Sequence, residues 1–90
     1  MAITKKKIWS EYFEAVVSGR KKYELRLNDF DIVEGDTLVL EEWDPQQNAY
    51  TRRSIEKKVT YVGKFKIDDL QMFWPKEDVI EKGIPIISIE

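Results

Sequence analysis

The chain contains neither histidine nor cysteine among its 90 residues. Those two absences exclude disulfides, Cys- or His-ligated zinc, a thiolate nucleophile and a Ser-His-Asp triad. The groups left for chemistry are Lys, Arg, Asp, Glu, Tyr, Ser and Thr, together with oxygen-ligated ions such as Mg²⁺. No apolar run approaches the ~18 residues of a membrane span. Residues 1–9 carry three lysines with no apolar stretch after them, so they do not read as a signal peptide. Without cysteines the redox environment leaves no mark, and the cytoplasm is the default expectation.

Charged residues make up 36% of the chain, against roughly 25% in an average soluble domain. A hydrophobic fraction of 42%, with 12% aromatics, is still sufficient for a core. The net charge of −2 gives no overall attraction to nucleic acid. Its distribution is more informative. Residues 1–63 carry 11 basic and 11 acidic side chains, whereas residues 64–90 carry 4 and 6. Ten of the 15 basic residues fall in four clusters, Lys5-Lys6-Lys7, Arg20-Lys21-Lys22, Arg52-Arg53 and Lys57-Lys58. Basic clusters on a neutral background suit a local anion site better than a long duplex track.

There is no internal repeat, low-complexity segment or linker, so residues 1–90 read as one domain. Residues 3–8 read as a first strand. Ser10 is placed to cap a helix with Glu11 and Glu14 in its first turn, ending at Gly19. Tyr12, Phe13, Val16 and Val17 form the apolar face of that helix. Residues 21–28 alternate, with Tyr23, Leu25 and Leu27 on the inner side and Lys22, Glu24, Arg26 and Asn28 on the other. A hairpin follows, with a strand over 37–43, a loop over 44–48 and a return strand from 50 to as far as 62. Short helical segments are expected over 67–74 and 76–82. Residues 84–89 read as a last strand, apolar on both faces. The order predicts an α+β domain whose strands form a small barrel, with one N-terminal helix and one or two short helices before the last strand.

The segment richest in chemistry is Gly19-Arg20-Lys21-Lys22-Tyr23-Glu24-Leu25-Arg26. A helix ends at a glycine, and an alternating segment then sets Lys22, Glu24 and Arg26 on one side, about 7 Å apart. Amides at the turn, with Arg20 and Lys21, suit an anion. An arginine braced by a carboxylate can present its remaining donors to phosphate or a base edge. The plainer alternative is a solvated Glu24–Arg26 ion pair worth ~0–1 kcal/mol.

Taken with Asn28-Asp29, Gly35-Asp36-Thr37 before an apolar strand, and Glu42-Trp43-Asp44, this Gly-x-Lys-x-x-Glu-x-Arg pattern resembles the ASCH domain family. The likeness is to its small stand-alone members in bacteria, archaea and phages. It covers residues 8–62 well and residues 64–83 weakly. The resemblance implies a PUA-like mixed or antiparallel β-barrel with a cleft floored by this Lys, Glu and Arg. It further implies association with RNA, a nucleotide or a modified nucleoside, in contexts related to translation. Some members of the family are hydrolases. Those that deacylate a modified cytidine are similar to this chain at Gly19, Arg20, Lys21 and Arg26. Their motif has threonines at the positions of Lys22 and Glu24, the second as nucleophile beside the lysine matching Lys21. Here Glu24 replaces that threonine. A different hydrolase would pair Glu24 as general base with Lys21 as the polarising group, and Glu77, Asp78 or Glu81 stand where a later acidic partner would come.

Among other residues, Trp9, Trp43, Phe73 and Trp74 are candidate stacking platforms for bases, with Trp74 the foremost because Pro75 follows it. In so small a chain, core packing competes for each of them. Arg52 and Arg53 on the hairpin are candidate RNA contacts, whereas Lys5-Lys6-Lys7 reads as protection of a strand edge in preference to a flank of a nucleic-acid groove. Asp36 reads as a turn-fixing residue rather than a metal ligand, and no metal or cofactor is expected. The ranking is therefore an RNA- or nucleotide-binding domain using Arg20, Lys21, Lys22, Glu24, Arg26, Arg52, Arg53 and Trp74. A small hydrolase built on Lys21 and Glu24 comes second, and a protein-interaction module third.

Overall fold

A computed structural model describes residues 1–87. Strand β1 (Ile3–Trp9) runs directly into helix α1 (Ser10–Val17), and after an irregular stretch come β2 (Thr37–Asp44) and β3 (Ala49–Lys58). A 3-10 helix (Ile67–Met72) and α2 (Lys76–Lys82) complete the elements. The three strands form one mixed sheet in the order β1-β2-β3, with β1 parallel and β3 antiparallel to β2. A parallel β1–β2 pair needs a crossover, and α1 with the stretch behind it supplies one. The domain is α+β, as its sequence predicts.

The central strand shows the period of two. Leu38, Leu40 and Glu42 face α1, and all three are buried. Against them pack Ile8 of β1 and Phe13 and Val16 of α1, with Ile32, Ile55 and Val59 around the margin. Leu40, at the centre, is 1% exposed. The apolar face of α1 is narrower than its sequence predicts, because Tyr12 and Val17 are about half exposed. Ser10 does not cap the helix either. It is the first helical residue, and its Oγ donates to the Trp43 carbonyl at 3.3 Å, tying the helix start to β2.

At the other end of β2, Asp36 is buried and fixes its turn. Its Oδ1 accepts from the Ala2 N–H and its Oδ2 from the Val33 N–H, both at 3.0 Å. These amide donors hold the carboxyl below its ordinary value. The return strand is shorter than expected for the same reason. Past Lys58 the backbone of Val59 exchanges bonds with Gly35 and Asp36, which ends the ladder in the turn.

Two further expectations differ from the structure. Residues 21–28 form no strand, and Tyr23, Leu25 and Leu27, expected inward, are 39%, 63% and 79% exposed. Alternation alone does not make a strand, since a strand needs a neighbour for its amides, and here the side chain of Arg26 meets β1 instead. Among the described residues the sheet has three strands, with β1 and β3 at its edges and no barrel closure. Within the expected last strand, residues 84–87 form no strand, and its end lies outside the described residues. Among the described residues, no helix is long and apolar enough to cross a membrane.

Candidate functional site

The turn after α1 places the first functional side chains. Gly19 takes φ 81°, a left-handed conformation suited to glycine, and the chain doubles back so that the Lys21 N–H reaches the Ala15 carbonyl at 3.0 Å. From there Lys21, Glu24 and Arg26 converge. Lys21 Nζ donates to Glu24 Oε1 at 2.5 Å and to the Tyr23 carbonyl at 2.6 Å, lying 4.5 Å from the Tyr23 ring centre. Arg26 Nε donates to the second Glu24 oxygen at 2.8 Å, and its Nη2 reaches the Lys7 carbonyl of β1 at 2.6 Å. The glutamate is therefore gripped on both oxygens, with its side chain 15% exposed.

The three residues have distinct roles. Lys21, 14% exposed, is a strut that orients Glu24. Arg26, 29% exposed, is fixed at two points and retains further N–H donors for a ligand. Two cations and one carboxylate leave a formal charge of +1, enough for a single phosphate or a carbonyl-rich base edge.

A second cluster lies on the α1 face of the sheet. Between the pairs Glu41–Ser54 and Trp43–Tyr50 the register shifts, so that Thr51, Arg52 and Arg53 stand opposite Glu42 alone. Arg52 takes φ 73° to make this bulge. The result aims two donors at one carboxylate oxygen, Thr51 Oγ1 at 2.5 Å and Arg53 Nε at 2.8 Å from Glu42 Oε1. Arg53 Nη2 also bonds Glu42 Oε2 at 3.1 Å and Glu14 of α1, and the guanidinium lies 4.9 Å from the Phe13 ring centre. The Arg53 hydrogen bonds, helped by Thr51 and Ser10, bring the Glu42 carboxyl down to about 2 against the opposing effect of burial. The Arg53 guanidinium is correspondingly raised by Glu42 and Glu14.

The sequence candidates thus divide. Lys21, Glu24 and Arg26 come together. Arg53 joins a different cluster and is largely committed to it, while Arg52 shapes the bulge and stays exposed. Arg20 is exposed and donates from Nε to Ser18 Oγ at 2.9 Å, and Lys22 is exposed. Trp74 packs against Phe73 at 5.7 Å and lines an open pocket of about 450 Å³ with Asp78, Val79 and Lys82 near the chain end. Glu42 escaped sequence reasoning, although its signal was present: it shares the parity of Leu38 and Leu40, so a carboxylate on that face must find partners. Nothing in the sequence marks the Lys7 carbonyl as the anchor of Arg26.

An α+β domain whose described residues form a three-stranded mixed sheet, with a braced arginine at its edge, is thus the class defined here. The family model described as "Domain of unknown function (DUF3850)" matches residues 3–72, and the chain belongs to that family. The match runs from β1 through the 3-10 helix and includes both side-chain clusters. The chain is also similar to the "Uncharacterized 12.9 kDa protein in GpA 3'region" of Escherichia phage P2, 39% identical over 56 residues. That alignment takes in 62% of this chain and 50% of the phage protein, so the similarity spans half of the relative's length.

Proposed function

We propose that the chain is an RNA- or nucleotide-binding domain of the PUA-like, ASCH type, with Arg26 as the principal anion contact. The observation that carries this reading is the double bracing of Arg26, by Glu24 at 2.8 Å and the Lys7 carbonyl at 2.6 Å. A guanidinium fixed beforehand loses little freedom on meeting a phosphate, which is why such a residue contributes more than a loose surface lysine. The PUA-like barrel belongs to the same reading. The alternating segment 21–28 meets the outer edge of β1 through Arg26, where a further barrel strand would pair.

Hydrolysis is less well supported. Both oxygens of Glu24 accept from cations, and Lys21 divides its ammonium between Glu24 and the Tyr23 carbonyl. Neither group is presented as a base or a nucleophile. The test is fluorescence anisotropy with a short single-stranded RNA at low salt. Binding that weakens in Arg26→Ala supports the proposal, and no binding by the wild-type chain overturns it.

A further inference from the structure

Resting on that reading, we infer that the sheet face turned away from α1 carries a base-stacking platform, made by Trp9, Trp43 and Tyr50, for single-stranded RNA. Trp9 and Trp43 are register partners across β1 and β2, and Trp43 and Tyr50 are register partners across β2 and β3. Paired residues on neighbouring strands point to the same face, so the three rings form one row across the whole sheet. Trp9 is 51% and Tyr50 52% exposed, large areas for aromatic residues in a small domain.

The Trp43–Tyr50 contact, edge-to-face at 5.0 Å, alone would read as a cross-strand pair that steadies the hairpin. That account leaves Trp9 unexplained, half bare on the edge strand. It also leaves out Lys7, whose ammonium sits 4.3 Å from the Trp43 ring centre while its backbone carbonyl receives Arg26. Lys7 therefore joins the aromatic row to the braced arginine. The face is covered at its centre, where Val39 is buried, and bare at the aromatic end. Half-exposed rings there with cations beside them are what unstacked bases and their phosphates require.

Charge sets the direction of the bound strand. On this face β1 contributes Lys5 and Lys7, β2 contributes Glu41, and β3 contributes Ser54, Glu56 and, at the end remote from the aromatic row, Lys58, so β1 carries the net positive charge. The phosphates accordingly follow β1 and Arg26, with the bases reaching inward over Trp9 and Trp43.

The experiment measures the affinity of a labelled uridine octamer by anisotropy, alongside quenching of intrinsic tryptophan fluorescence. Trp9→Ala is expected to weaken binding about 5- to 100-fold, the range one lost base–aromatic stack carries. Trp9→Phe, which keeps a ring, is expected to remain within about threefold of wild type. Because Trp9 is half exposed, both variants should fold, and their thermal transitions check this. Wild-type fluorescence should fall on RNA addition, independently of any variant. If Trp9→Ala and Tyr50→Ala bind like wild type while Arg26→Ala is weakened, the row is a hairpin staple only and the platform is refuted, with RNA binding left standing. If the wild-type chain binds no RNA, both readings fall together.

Discussion

Arg53 grips Glu42 with two hydrogen bonds, Nε to Oε1 at 2.8 Å and Nη2 to Oε2 at 3.1 Å, across a bulge that sets three residues opposite one. Glu42 is 4% exposed, so its charge depends on these donors. Arg53→Ala leaves a buried carboxylate short of partners, and a loss of about 1–3 kcal/mol is expected in urea unfolding. Arg53→Lys should recover only part of it, because an ammonium cannot reproduce the two-point fork.

The same pair sets an acid limit. Glu42 lies at about 2 in the folded chain against an ordinary 4.5, so between those values the unfolded chain binds more protons. Its stabilisation is complete above about pH 4.5 and is lost as pH falls toward 2. Asp36, shifted in the same direction, adds to this limb. A melting-temperature series from pH 7 to pH 2 should fall steeply below pH 4.5 in wild type. Glu42→Gln should start lower and fall less.

Arg52 separates shape from charge. With φ 73° it occupies a left-handed position at roughly 1 kcal/mol cost for a non-glycine residue. Arg52→Gly is expected to keep or raise the melting temperature, whereas Arg52→Val should lower it. Should Arg52 touch RNA, the glycine variant would bind more weakly without being less stable.

Much of this fold was legible because local chemistry and tertiary packing agree. The β1–α1 junction, the strand expected over 37–43, the start of the return strand and both C-terminal helical turns sit within a residue or two of their sequence patterns, while the return strand stops at Lys58, short of the 62 its pattern allows. The disagreements arise where a long-range partner decides. Ser10 is a natural cap by type, but the Trp43 carbonyl lies within reach of its hydroxyl. Tyr23, Leu25 and Leu27 alternate as a strand does, yet among the described residues no neighbouring strand pairs with them. Glu24 and Arg26 meet as their spacing of two predicts, but alternation puts Lys22 and not Lys21 beside them. Lys21 reaches Glu24 because the segment is not a strand, and its grouping with Glu24 and Arg26 is what the resemblance implies. Glu42 with Arg53 spans 11 positions and depends on a bulge that residue types do not announce.

Glu24 offers a test that divides two accounts of the site. If RNA responded to net charge alone, Glu24→Ala would bind more tightly, having lost a negative charge. If Glu24 matters because it orients Arg26, the same change should weaken binding severalfold. The second outcome is expected, in anisotropy at fixed salt with a Lys21→Ala control that loosens Glu24 indirectly.

The most direct measurement of the central claim is the salt dependence of single-stranded RNA affinity in wild type and Arg26→Ala. The local basic clusters predict contact with about two to four phosphates, a log–log slope of about −1.4 to −2.8. Removing one phosphate contact at Arg26 should weaken binding and make that slope shallower by about 0.7. An Arg26→Ala variant with wild-type affinity and an unchanged slope would contradict the account.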